Sequence, residues 1–166
     1  MSLHPIDPAA LSLNPFTLIG KDWALLSAGD ASGFNPMTVS WGNMGVMWNK
    51  NIVAVYVRPQ RYTKEFIDHA DRFTLSFFDE AYRPALNLCG SKSGRDMDKA
   101  AAAGLTPVFE NETVHFAEAK LVIECRKIYT DVIRPEGFLA PYIAGCYPKE
   151  DYHAVYMGEI LRVLTK

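Results

Sequence analysis

The stretch Ile52-Val53-Ala54-Val55-Tyr56-Val57 decides the fold, because every one of its residues is apolar or aromatic and most are β-branched. Such a short apolar run is typical of a strand that is covered on both faces. Directly after it, residues 62–70 place Phe66, Ile67 and Ala70 at a helical spacing. The chain is therefore predicted to pass from a buried strand into a short helix.

Other stretches on both sides also have strand character. Residues 72–77 alternate between apolar and polar side chains, so that Phe73, Leu75 and Phe77 share one face. The remaining predicted strands are residues 23–28, which end in the turn-prone residues 29–33, and residues 37–41, 120–133 and 153–164. A second helix is predicted over residues 100–103, behind a capping box at residues 93–96 and before Gly104. A parallel sheet would need a helix after nearly every strand. The pattern therefore favours a mainly β fold, a mostly antiparallel barrel with a few short helices.

The composition describes an ordinary globular chain. Of its 166 residues, 49% are hydrophobic and 22% are charged, which excludes a disordered or fibrous protein. The formal net charge is −2, so no global positive field would draw the protein to nucleic acid or to an anionic membrane. No repeat or linker divides the sequence. We therefore expect a single domain over residues 1–166, with residues 1–15 as an N-terminal extension.

The cysteines and the N-terminus bear on the compartment. Cys89, Cys125 and Cys146 are an odd number without a CxxC pair, so neither a disulfide framework nor a zinc site is indicated. The N-terminus lacks the basic start and continuous apolar run of a signal peptide, and no apolar run is long enough to span a membrane. We therefore expect a cytoplasmic protein with no metal site and no membrane partner.

The first candidate site is the run Arg58-Pro59-Gln60-Arg61-Tyr62-Thr63-Lys64, where the buried strand meets the helix. Three cations, a hydroxyl group and the free backbone N–H groups of a helix start converge there, and a phosphate group binds to such a set. A solvated turn whose cations pair with surface carboxylates would explain the same residues.

A second run, Cys89-Gly90-Ser91-Lys92-Ser93-Gly94-Arg95-Asp96, has similar chemistry. Its glycines would let the backbone approach a ligand, and Ser91, Lys92 and Ser93 offer hydrogen-bond donors. It lacks the residue order of a P-loop, and a capped helix start is the alternative. Two turns that suit an anion, in a chain of net negative charge, favour a local phosphate site.

The strand over residues 37–41 could hold a flat heteroaromatic ring. Alternation places Thr38 and Ser40 on one side, with Met37, Val39 and Trp41 on the other. A sheet edge that offers backbone donors and acceptors beside an indole suits a planar ligand, although an aromatic residue in a strand more often belongs to the core.

The sequence contains no pattern for catalysis by side chains alone. His4, His69, His115 and His153 stand far apart, and neither a GxSxG nor a GxGxxG motif occurs. If the protein is an enzyme, a bound cofactor is therefore expected to supply the chemistry.

Taken together, these motifs resemble the flavin reductase-like family of FMN-binding split barrels, and in particular its flavoredoxin branch. The matching pieces occur in the family's order and span most of the chain: residues 38–41, 58–59 with 61–64, 73–77, 89–96 with Lys99, 104–107 and 153–160. The segment Trp48-Asn49-Lys50-Asn51 departs from the family, because many relatives have a proline before the strand that follows.

The resemblance implies a Greek-key split β-barrel that forms a homodimer and holds one FMN per subunit in a groove near the dimer interface. The cofactor-binding residues that it implies fall into groups. Thr38, Val39, Ser40 and Trp41 lie beside the flavin ring and ribityl chain, and Cys89 and Gly90 pack close to the flavin. Around the phosphate are Arg58, Arg61, Thr63 and Lys64, helped by Ser91, Lys92 and Ser93 from the second turn, and Tyr62 is a further cofactor-binding residue. His153 is the candidate catalytic residue on the nicotinamide or substrate side, and an exposed histidine at a strand start is the alternative.

The function implied is an NAD(P)H-dependent flavin reductase, in which hydride passes from the nicotinamide to the flavin. The alternative is a non-catalytic FMN electron carrier that a redox protein partner reduces. A barrel that binds another planar ligand, such as haem, is a third option. The choice between NADH and NADPH stays open, because the sequence has no dinucleotide fingerprint with its ribose-binding acid.

Overall fold

The computed structural model describes residues 2–166. The strands in chain order are β1 (His4–Ile6), β2 (Ala24–Asp30), β3 (Gly33–Val39), β4 (Gly42–Met47), β5 (Lys50–Val57), β6 (Arg72–Phe77), β7 (Pro107–Glu110), β8 (Thr113–Phe116), β9 (Leu121–Val132) and β10 (Ala154–Thr165). The α-helices are α1 (Pro15–Thr17), α2 (Thr63–His69), α3 (Arg83–Ser91) and α4 (Lys99–Ala102). Short 3-10 and π turns connect several of them.

One antiparallel sheet forms the body of the molecule. Its strands follow the order β3-β2-β6-β9-β10-β5-β4, with β1 also paired to β10 and a separate hairpin formed by β7 and β8. β3 and β4 lie at opposite ends of this order, yet only Ser40 and Trp41 connect them. Because two residues span only about 7 Å, the sheet has to curl until its two edges meet. The predicted mainly β fold, a Greek-key split barrel with a few short helices, is therefore confirmed.

Two clusters of buried side chains stabilise this arrangement. The interior of the barrel is filled from several strands by residues such as Phe73, Leu75 and Ile123. A second cluster, which includes Leu25 and Leu86, packs helices α3 and α4 and strand β8 against the outside of the sheet. The second cluster fixes the position of α3 beside β3, and the functional site lies there.

Several predicted boundaries were wrong, and local pairing explains why. β2 continues through residues 29 and 30, because its hairpin pairing with β3 extends to the Asp30–Gly33 pair and leaves a loop of only two residues. The helix predicted over residues 100–103 spans Lys99–Ala102, and its N-cap is Asp98, which accepts from the Ala101 N–H, rather than the capping box predicted at residues 93–96.

Sequence analysis also missed whole elements. Helix α3 was not predicted, and its last turn contains Cys89, Gly90 and Ser91, which had been interpreted as a glycine-rich turn. β4 was missed because most of its side chains are exposed on both faces, so it lacks the alternation of a half-buried strand. Residues 4–6, part of the predicted N-terminal extension, form β1 and pair with the end of β10.

Candidate functional site

A groove of about 270 Å³ lies along β3, where the two edges of the sheet meet. It is lined by Met37, Thr38, Val39, Ser40, Trp41, Tyr56, Arg58, Arg61 and His153. The structure thus brings together the four predicted residues of the 38–41 strand, two predicted arginines and the predicted histidine. Among residues 2–166, β3 pairs only with β2, so its other edge keeps backbone N–H and C=O groups free for a ligand.

The side chains of β3 alternate across the strand. Met37 and Val39 are buried in the barrel core, whereas Thr38 and Ser40 are only half-buried. The Thr38 hydroxyl donates to the Leu86 carbonyl of α3. The prediction that alternation continues to Trp41, on the same side as Met37 and Val39, was wrong: β3 ends at Val39, and the indole is 47% exposed rather than buried in the core. It lies at the groove instead.

His153 forms one end of the groove, and Tyr147 contacts its ring. Its ring is 7% exposed, its centroid lies 5.1 Å from that of Trp41, and its Nδ1 is 2.8 Å from the Tyr147 hydroxyl. Burial, aided by the nearby Arg58 charge, lowers the pKa of His153 to about 4. The imidazole is therefore neutral at pH 7, and it can exchange hydrogen bonds in the groove without carrying a charge. It is not the exposed strand-start histidine of the alternative interpretation.

Arg58 lines the groove but is engaged by the excursion between β9 and β10. Its guanidinium lies 2.6 Å from Asp151 Oδ1, donates to the Cys146 carbonyl oxygen at 2.9 Å, and lies over the Tyr147 ring at 5.2 Å. These contacts anchor residues 146–151 beside His153. Arg58 belongs to the histidine end of the site and lies outside the smaller hollow that holds the other cations.

That smaller hollow, of about 150 Å³, lies between the two turns that sequence analysis singled out. It is lined by Gln60, Arg61, Tyr62, Ser91, Lys92, Ser93 and Lys99. Residues from both runs thus share one hollow, although they are about thirty positions apart in the sequence. Arg61 lines both this hollow and the groove, so the two spaces adjoin.

Lys99 is the site residue that the prediction missed. Only 3% of it is exposed, and its Nζ makes a single hydrogen bond, 3.1 Å to the Cys89 carbonyl oxygen. Among residues 2–166 no carboxylate forms an ion pair with it. Burial, together with repulsion from Arg61, lowers the pKa of Lys99 to about 8. The SGRxxDK pattern of residues 93–99 could have indicated Lys99 as a site residue, since Lys99 was among the residues that carried the family resemblance.

Arg61 and Lys99 converge on the end of α3. Arg61 donates to the carbonyl oxygens of Gly90 at 2.6 Å and Cys89 at 3.2 Å, beside the contact from Lys99. Both cations therefore neutralise the negative end of a helix while they retain further N–H groups. The predicted proximity of Gly90 to a ligand has another explanation here: a Cβ at this position would lie 3.3 Å from the Thr38 Cβ, so glycine lets α3 approach β3.

Several predicted residues lie outside both spaces. The Thr63 side chain is fully buried and bonds to Asn35 at 2.6 Å, and Lys64 pairs with Asp68 on its own helix at 2.7 Å. Cys89 is fully buried in α3, where burial raises the pKa of its thiol. That these residues and Gly90 contact a cofactor stays a prediction.

Residues 2–166 hold no group of three or more His, Cys, Asp or Glu side chains that could bind a metal ion. Within the same part of the chain, no helix has the length and apolar character that crossing a bilayer requires.

The chain is similar to proteins of known fold. Residues 17–166 match the flavin reductase like domain, whereas no curated protein sequence matches. The structure of the flavoredoxin of Desulfovibrio vulgaris (Miyazaki F) superposes with a TM-score of 0.69 and 23% identity, over 97% of this chain and 76% of the other. An FMN-binding protein from Thermus thermophilus with bound p-hydroxybenzaldehyde gives a TM-score of 0.68 and 18% identity, over 97% and 81%. Nitrilotriacetate monooxygenase component B from Bacillus cereus gives 0.67 and 19%, over 95% and 79%. At these identities the structural similarity shows the fold alone.

Proposed function

This chain belongs to the flavin reductase-like family, and on that basis we propose that it is an FMN-binding oxidoreductase that takes hydride from NADH or NADPH. One observation carries the proposal. A groove with a free sheet edge, Trp41 and a neutral histidine adjoins a hollow that contains the nearly unpaired, buried cation of Lys99. A flat ring with a phosphate at the end of a short polar chain matches that combination.

The groove suits the ring and the polar chain. Backbone groups at the free edge of β3 can bond to the heteroatoms of a planar ring, and the Trp41 indole can cover one of its faces. The half-buried Ser40 and Arg61 also line the groove, and Arg61 lines the smaller hollow as well. These polar groups are of the kind that a ribityl chain between the ring and the phosphate would need.

The smaller hollow suits the phosphate. Lys99 uses one of its three N–H groups on a carbonyl oxygen, so two remain for anionic oxygens. Arg61 and Lys92 add charge, and Ser91 and Ser93 add hydroxyl groups, around the same space. A bound phosphate dianion would neutralise Arg61, Lys92 and Lys99. Among residues 2–166 none of these three cations forms an ion pair with a carboxylate. We therefore assign the phosphate chiefly to Lys99, Arg61 and Lys92.

When bound, FMN supplies a ring that accepts hydride and passes electrons onward. The residues of the chain bind it, position it and exchange hydrogen bonds with it. His153 stays neutral near pH 7 and lies in the groove, with its Nδ1 engaged by Tyr147. Its remaining ring nitrogen is the group that we assign to the nicotinamide or substrate side.

Spectroscopy of the purified protein tests the proposal. We expect a flavin absorption spectrum after reconstitution with FMN, and rapid bleaching at about 450 nm, where flavins absorb, when NADH or NADPH is mixed in a stopped-flow instrument. Failure to bind FMN would refute the cofactor assignment. Binding without bleaching, together with reduction by a redox protein, would identify the FMN electron carrier instead, a possibility favoured by the similarity to flavoredoxin.

We also propose that the protein is a cytoplasmic homodimer, as the family resemblance implies. The turn and edge of the β4–β5 hairpin expose apolar side chains, with Val46 at 74% and Trp48 at 53%, and these would be covered by a second copy. Light scattering after size exclusion should give twice the 18.6 kDa chain mass.

A further inference from the structure

A third hollow, of about 420 Å³, adjoins the phosphate hollow and shares no lining residue with the groove. It opens beside the β2–β3 turn and is walled partly by Phe34, Phe66 and Asn35. Tyr62 and Lys99 line both this hollow and the phosphate hollow. The groove, the phosphate hollow and the third hollow are therefore consecutive, each sharing at least one residue with the next.

The third hollow has the volume and walls of a small-molecule site. Its volume falls within the range of about 300–1,000 Å³ that such sites occupy. Tyr62 and Phe66 meet edge to face with centroids 5.0 Å apart, and Phe34 of β3 also lines the hollow. These aromatic surfaces suit a flat base better than a flexible chain.

The hollow is also lined by a polar side chain whose own hydrogen bonds leave one of its atoms available. Asn35 is 3% exposed, and its Nδ2 donates to Thr63 Oγ1 at 2.6 Å and to the Pro36 carbonyl oxygen at 3.1 Å. Within residues 2–166 no donor bonds to its Oδ1, which lies against Gly94, where a Cβ would come within 1.8 Å of it. This carbonyl oxygen can accept a hydrogen bond from a donor such as an exocyclic amine.

Lys99 connects this hollow to the phosphate. It lines both spaces, and two of its N–H groups are unused by the protein. A single phosphate in the smaller hollow would occupy one side of this cation. A second phosphate, continuing towards Tyr62, would occupy the other side and lead into the aromatic hollow.

We propose that the third hollow takes the nucleoside end of a dinucleotide whose flavin half lies in the groove, so that the chain binds a flavin of the FAD class more tightly than FMN. This inference rests on the proposed function. It adds to it the identity of the flavin and a subsite made of Asn35, Phe66 and the walls shared with the phosphate hollow.

Equilibrium binding of the two flavins tests the inference without any measurement of activity. Flavin fluorescence titrations should give a dissociation constant for FAD about 5- to 150-fold lower than for FMN, which is the range given by stacking one base on aromatic side chains. Equal affinities would overturn this inference alone, whereas absence of binding by either flavin would also refute the proposed function.

Two variants on one exposed turn locate the subsite. Ala31 lines the hollow and is exposed, so Ala31→Trp should fill the space without touching the core. We expect FAD affinity to fall to that of FMN, with FMN affinity unchanged. Ser32→Trp adds the same indole to the neighbouring position, which does not line the hollow, and should change neither affinity. FAD binding that survives Ala31→Trp would overturn the inference, as would loss of NADH or NADPH binding alone, which would assign the hollow to the nicotinamide cofactor.

Discussion

Replacing Lys99 by methionine tests the phosphate site most directly. Methionine keeps most of the length and apolar volume of the side chain and removes the charge together with its N–H groups. Because Lys99 is 3% exposed and bonds only to one carbonyl oxygen, the substitution should not disturb an ion pair within residues 2–166. The variant therefore separates loss of the phosphate contact from loss of the fold.

The magnitude of the effect follows from the contact that is lost. A hydrogen bond to a charged group contributes about 1.5–3 kcal/mol, which corresponds to roughly 10- to 150-fold weaker FMN binding. The stability of the protein without FMN should change in the opposite direction, so that the substitution raises it. The fall in the Lys99 pKa from 10.5 to about 8 corresponds to roughly 3 kcal/mol against the buried charge, and loss of the bond to Cys89 offsets about 1 kcal/mol of that. The free energy of unfolding of apo Lys99→Met should rise by about 1–2 kcal/mol.

Isothermal titration with FMN and with riboflavin measures the effect, because riboflavin lacks the phosphate. Riboflavin affinity should be unchanged in Lys99→Met. Lys64→Met is the matched comparison: the family resemblance implies that Lys64 lies at the phosphate, but Lys64 pairs with Asp68 outside both spaces. We therefore expect its removal to change FMN affinity less than about twofold, as for an exposed pair. Unchanged FMN affinity in Lys99→Met, or an equal loss for riboflavin, would refute the assignment of the phosphate to this lysine.

Four further results are expected. FMN affinity should fall as the pH rises above about 8, the pKa of Lys99 in the free protein, since the uncharged amine attracts no phosphate; titrations at several pH values should show this for FMN and not for riboflavin. The free energy of unfolding should fall as the pH drops from 6.5 towards 4, because unfolded His153 then binds a proton that folded His153 does not; urea denaturation of His153→Gln should lack that part of the slope. Tyr147→Phe leaves the buried Nδ1 of His153 without its partner and should cost about 1–3 kcal/mol in urea denaturation, with FMN affinity retained. In Gly158→Ala the new Cβ would lie 2.5 Å from the Cys125 Cβ, so overpacking should cost about 1–3 kcal/mol, and an unchanged melting temperature would contradict this packing.

Local patterns in the sequence were enough for much of the fold. β6 was predicted with its observed bounds, because its alternation leaves one register that buries Phe73, Leu75 and Phe77. The apolar run that becomes β5, and the helical spacing that becomes α2, were likewise readable from a few consecutive residues. Strand β4 and helix α3 were missed, because the first buries little and the second ends in residues that resemble a turn.

The sequence by itself determined that two separate runs of cations and small polar residues exist in a chain of net negative charge. Only the tertiary structure decided which cations face the shared hollow. In the sequence, Lys64 is as suitable for binding a phosphate as the neighbouring cations. In the structure, the carboxylate of Asp68, one helical turn away, neutralises its charge. Lys99 became the buried, nearly unpaired charge because α4 packs it against the end of α3. The physical reason is that desolvation and pairing of a charge depend on neighbours that folding brings from distant parts of the chain, and no local pattern records them.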